Sequence, residues 1–253
     1  SIRDCTPAAL ARGFDAAAKT LVVAIGFVLP LSTSATAALL IVLPVCWLLS
    51  GEYHAKWQAT RHSRIVWLAL LLFGAFTLGA LYSSAPPREI LLSLSRYRKL
   101  LYVPIFLTVF ACVRTRDRAL RGFQAAMLVT LAASFLMWFG LIHSRMGDAT
   151  DCAVFKSHVT QNVLMAFFVA LLCQRAAQER HRRWLYGTVI CVALYNIFFM
   201  VDGRTGYVTL AALLGLWMFR RAGWRGLAVA AVAIACLGST IAMCSSGFRQ
   251  RVS

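Results

Sequence analysis

Acidic side chains are scarce in this sequence. Nine of 253 residues are Asp or Glu against 26 Lys and Arg, and charged residues of both signs make up only 14% of the chain. A soluble domain carries about 25%, so a water-soluble globule is excluded. A hydrophobic content of 60% excludes a disordered chain, which lacks the apolar surface to collapse or enter a bilayer. The nine carboxylates (Asp4, Asp15, Glu52, Glu89, Asp117, Asp148, Asp151, Glu179 and Asp202) lie near the ends of apolar runs or between them, never in the middle. A proton- or sodium-coupled carrier usually needs a carboxylate inside the membrane, and a metal-dependent transferase needs a DxD-like pair to hold a divalent ion. Neither pattern is present, so no metal and no cofactor is expected. The eight cysteines form no CxxC pair and mostly sit in apolar runs, which argues against a disulfide framework and a zinc site. Nucleic acid is a poor partner, because the cations are spread among apolar runs rather than clustered on a soluble face. There is no internal repeat, Gly/Ser-rich linker or composition shift, and residues 1–253 read as one polytopic helical domain.

What is present is a series of apolar runs, several near the ~20 residues that a helix needs to cross a bilayer. Nine spans are expected, the clearest being Ile65 to Tyr82, Leu100 to Val113, Ala119 to Ile142, Val159 to Cys173, Trp184 to Val201, Gly206 to Phe219 and Leu227 to Met243. The run from Leu21 to Leu49 is too long for one helix and is broken at Pro30, Ser32, Thr33 and Ser34, which predicts a tight hairpin of two short spans. One span in its place is the alternative. With the N-terminus inside, 17 Lys and Arg fall in cytoplasmic segments and nine on the other side, the bias that cytoplasmic loops show. The chain begins with Ser1 and carries Asp4 and Asp15 before its first apolar run, with no small-residue cleavage site after it, so no removable signal peptide is expected.

The cations on the outer side are the ones topology does not explain, and they form three groups. The first is Arg88, Arg96, Arg98 and Lys99 in PPREILLSLSRYRKLLYVPIF, where Arg96 and Lys99 recur at i, i+3 on one helical face. They suit either a lipid-surface helix or an anion site. The second is Arg204 in FFMVDGRTGYVTL, bracketed by Gly203 and Gly206, with Thr205 placed to cap the next helix. A cation at a helix N-terminus opposes the dipole, which makes sense where an anion is held between them. A turn in which Asp202 pairs with Arg204 is the other reading. The third is the loop HSRMGDATDCAVFKSHVTQN, with His143, Arg145, Asp148, Asp151, Lys156, His158, Gln161 and Asn162. Gln161 and Asn162 run into the start of a span, where polar side chains need partners or water, and hydrogen bonds to neighbouring helices would serve each of them. Arginines without metal-binding carboxylates suit one chemistry, neutralising a diphosphate leaving group by forked, permanently charged contacts.

The segments RYRKLLYVPIF, FKSHVTQNVLMAFFVALL and DGRTGYVTL, in this order, resemble those of bacterial O-antigen ligases, polytopic glycosyltransferases grouped with O-antigen polymerases; the likeness covers roughly Arg96 to Arg251. It implies an all-α polytopic membrane protein of GT-C-like architecture in the bacterial inner membrane, its active face periplasmic. The implied activity moves a glycan from undecaprenyl diphosphate to the lipid A core without a metal. The donor, the acceptor and membrane lipids are then the partners. The resemblance makes Arg204 the essential arginine. It matches Arg98 with Lys99 to the family's basic entry to the following span, and these two, with Arg96, His158, Gln161, Arg249 and Arg251, are the candidate substrate-binding residues. It also implies a longer natural chain, with a large periplasmic loop after Ser253 supplying the base, so that residues 1–253 alone would bind donor without completing transfer. An O-antigen polymerase and a lipid-linked oligosaccharide flippase are the alternatives.

Overall fold

The computed structural model describes residues 7–83, 86–142, 153–201 and 204–244. Among these there are helices and no strands. In chain order they are α1 (Pro7–Val28), α2 (Thr33–Leu49), α3 (Tyr53–Arg61), α4 (Arg64–Leu81), α5 (Pro87–Tyr97), α6 (Tyr102–Phe110), α7 (Val113–Trp138), α8 (His158–Gln178), α9 (Arg183–Tyr195) and α10 (Arg204–Cys244). A 3-10 turn, Arg98–Leu101, joins α5 to α6, and a π-helical turn, Asn196–Met200, extends α9. Helices are the natural solution for such runs, because each satisfies its own backbone polar groups where water is absent. Pro30 and the hydroxyls after it separate α1 from α2, the break the sequence expects, although neither helix alone is long and apolar enough to count as a span.

Four helical stretches are long and apolar enough to cross a membrane: α4, α7, α8 and Arg180–Met200. Taken together, α2 and α3 make a fifth, bent by 113°. The bend follows from two consecutive left-handed residues, Gly51 at φ +65 and Glu52 at φ 53. The expected nine spans are not reached by this criterion among the described residues. Within Leu100 to Val113 the helix α6 has nine residues. At 1.5 Å per residue it rises about 14 Å, half the ~30 Å hydrocarbon thickness. The stretches expected as two spans, Gly206 to Phe219 and Leu227 to Met243, both lie in α10, which is two helical stretches meeting at a kink at Gly223 (φ 59, ψ −145), between the two expected spans. Arg96 belongs to α5 and Lys99 to the 3-10 turn that directly continues it.

The chain divides into two compact units, residues 1–29 with 34–122, and residues 30–33 with 123–253. In the first, Ala18, Val22 and Ile25 of α1 form one buried stripe and share a core with Leu43, Ile105, Val109 and Ala119. Gly26 lets α1 approach α7, since a Cβ there would fall 2.6 Å from the Ala119 carbonyl oxygen. The Trp47 indole N–H donates to the Thr108 hydroxyl at 2.8 Å, tying α2 to α6. In the second unit α8 is the central helix, with Met165, Ala166, Phe168, Val169 and Leu172 all buried, and it packs on α9 and α10. Between lipid-embedded helices close packing and hydrogen bonds replace the hydrophobic drive, which is why small and polar residues at these contacts matter.

Candidate functional site

Within the second unit a buried polar cluster forms where α8 begins and α10 begins. Gln161, in the first turn of α8, is 2% exposed. Its Nε2 donates to the Ser134 hydroxyl of α7 at 3.0 Å, and its Oε1 accepts from the Val154 N–H at 3.0 Å. Asn162, fully buried, donates through Nδ2 to the Val201 carbonyl at 3.2 Å. Lys156 and Asn196 are buried too. Buried polar groups are costly unless paired, so these contacts fix the segment before α8 and the segment before Arg204 relative to each other.

The approach to Arg204 is built from three local features. The π-helical turn closes with the Val201 N–H donating to the Asn196 carbonyl at 3.1 Å, and Val201 leaves the helix in an extended conformation (φ −118, ψ 123). Gly206 then packs against α8 so tightly that a Cβ there would lie 2.7 Å from the Asn162 Cβ. Tyr207 stacks on Phe198 across the turn, with ring centroids 5.1 Å apart. Arg204 is the first residue of α10, so Thr205 lies inside the helix rather than at its cap, where the sequence placed it. Its carbonyl accepts from the Thr209 hydroxyl at 2.8 Å.

The expected site residues fall in different places. Gln161 sits in the buried cluster, where both ends of its amide are engaged, and so braces the fold. His158 is the first residue of α8 and is exposed. Arg98 and Lys99 lie in the first unit, both exposed, on the 3-10 turn after α5. Beside them α4 and α5 enclose a groove of about 270 Å³ lined by Gly79, Ala80, Ser83, Glu89 and Tyr97, and Tyr97 stacks on Phe76 at 3.7 Å. The side chains of Arg96 and Arg204 fall outside what is described, as do His143, Arg145, Asp148, Asp151, Asp202, Arg249 and Arg251 in full. Among the described residues no group of three or more His, Cys, Asp and Glu is placed to hold a metal ion.

Sequence reading missed Ser134 and Asn196. The signal for Asn196 was there, a lone amide inside the apolar run VALYNIFFMV; Ser134 is a small hydroxyl of the kind common in membrane helices. It also passed over Cys112, exposed in the turn between α6 and α7. The Thr115 hydroxyl and the N–H groups of the first turn of α7 hold its thiol below the ordinary cysteine pKa. Compared with protein-family models, curated proteins and solved structures, the chain matches none of them.

Proposed function

We propose that this chain acts in a metal-independent membrane glycosyltransferase of the O-antigen ligase type, with a GT-C-like arrangement of about nine spans in the bacterial inner membrane. In this reading Arg204, at the periplasmic end, binds the diphosphate of an undecaprenyl-linked glycan. The acceptor hydroxyl of the lipid A core attacks the anomeric carbon and the bond from that carbon to the diphosphate oxygen breaks. The leaving group keeps the electron pair, and the acceptor proton passes to a base. Arginine suits the leaving-group role because it stays charged and offers a planar fork to phosphate oxygens.

The observation that supports this reading most is the clamp of Asn162 on Val201 and Gly206, which brings together two of the three segments that carry the resemblance. A catalytic group must be held within a fraction of an ångström to be effective, and the clamp holds the backbone on either side of Arg204. The test is to incubate the purified natural protein, in excess chelator, with carrier-linked glycan and lipid A core. Joined product is expected. Glycan joined only to a second carrier-linked glycan would make the enzyme a polymerase. Donor that crosses the bilayer with no joined product would make the protein a flippase and overturn the proposal.

A further inference from the structure

The first unit holds a second pocket, of about 350 Å³, formed by the end of α2, by α3, by the start of α4 and by Pro104 of α6. This lies within the ~300–1,000 Å³ range of pockets that hold ligands. Its walls are mainly aromatic and aliphatic: Trp47, Trp57, Trp67 and Leu70. Trp57 and Trp67 meet edge to face, with centroids 6.4 Å apart, and both are about half exposed, at 56% and 47%. Trp67 stands at the start of a helix long and apolar enough to cross a membrane, where indoles typically mark the boundary between hydrocarbon and headgroups. Its Nε1 donates to the Arg61 carbonyl at 2.9 Å, which fixes the ring.

The cations of this pocket are placed as well. The Lys56 ammonium donates to the Trp47 carbonyl at 2.6 Å and to the Ser50 hydroxyl at 2.7 Å, and lies 4.6 Å from the Trp47 ring centroid. Arg61 lines the same pocket, its Nε donating to His62 Nε2 at 3.0 Å, and Arg64 is exposed three residues further on. Among the described residues neither guanidinium is in an ion pair with a carboxylate. An apolar, tryptophan-walled space at the end of a candidate span, edged by the Arg61 guanidinium with the exposed Arg64 three residues on, complements a molecule with a hydrocarbon chain and a phosphate. A water-soluble anion would gain nothing from the indole walls, and a zwitterionic lipid would leave the positive charge uncompensated.

We propose that this pocket binds one anionic glycerophospholipid, an acyl chain against Trp57, Trp67 and Leu70 and the phosphate on Arg61 and Arg64. The inference stands apart from the glycan-transfer reading and needs no catalytic residue. It is tested with the full chain in phosphatidylcholine vesicles titrated with phosphatidylglycerol or phosphatidylcholine brominated on the acyl chain, because bromine quenches indole fluorescence on contact. Phosphatidylglycerol is expected to quench at several-fold lower mole fraction. Arg61→Gln and Arg64→Gln, both at exposed positions, should each lower that preference about fivefold. Leu70→Phe, which fills the pocket without changing charge, should lower it as well. Equal quenching by the two lipids would overturn the proposal. So would a preference that survives both arginine substitutions, and so would one that survives Leu70→Phe, since the lipid would then be held by surface charge alone.

Discussion

At Gly206 the absence of a side chain is a packing requirement, because Asn162 occupies the space a Cβ would take. Gly187, in α9, has nothing within 4 Å of the same position. The two glycines should therefore respond in opposite senses to alanine. Gly206→Ala is expected to cost about 1–3 kcal/mol through overpacking, whereas Gly187→Ala should be neutral or stabilising by up to about 1 kcal/mol from helix propensity. Thermal unfolding in detergent reads both, and equal melting temperatures for the two variants would contradict the packing described. Cys112 supplies a second single-residue test. Its pKa is lowered mainly by the Thr115 hydroxyl, so the thiolate that reacts with alkylating reagents is present at lower pH than for an ordinary thiol. In a variant retaining Cys112 alone, Thr115→Val should shift the pH profile of alkylation upward and slow the reaction at neutral pH. An unchanged profile would remove Thr115 as the cause.

At the scale of the elements, the long apolar stretches α4, α7, α8 and Arg180–Met200 were legible because length and hydropathy alone decide them. Pro30 and its hydroxyl neighbours likewise announced the break between α1 and α2. The bend after α2 was not legible, since it depends on Glu52 taking a left-handed conformation that non-glycine residues rarely adopt. The break inside α10 was legible. Arg220, Arg221 and Arg225 read as a break between spans, and the chain does kink there at Gly223 (φ 59, ψ −145), sharply enough that a Cβ on Gly226 would collide with the Met218 carbonyl oxygen. That backbone region is close to glycine-only. Gly223→Ala should therefore cost about 1–3 kcal/mol, seen as a lower melting temperature, and a melting temperature equal to the unsubstituted protein would contradict the kink. The candidate site was legible in its parts, Gln161, Asn162 and Gly206. The pairings were not, because Gln161 finds Ser134 27 residues away and Asn162 finds Val201 39 residues away. No local pattern encodes such contacts.

For the whole molecule, orientation and activity are separate questions. The excess of Lys and Arg in the segments around Cys112 predicts that this turn faces the cytoplasm. A membrane-impermeant maleimide should then label the variant retaining only Cys112 in inside-out vesicles and leave it unlabelled in intact cells, and the reverse pattern would invert the topology. The proposed activity rests on Arg204, a permanent fork at the start of α10 with its flanking backbone clamped by Asn162. The most direct measurement is the rate of glycan transfer from undecaprenyl diphosphate to lipid A core by the natural protein and by its Arg204→Lys variant, at matched membrane levels. Losing a preorganised donor to developing charge costs about 10²–10³ in rate, so a fall of that size with normal insertion is expected. Transfer by Arg204→Lys at the unsubstituted rate would contradict the assignment.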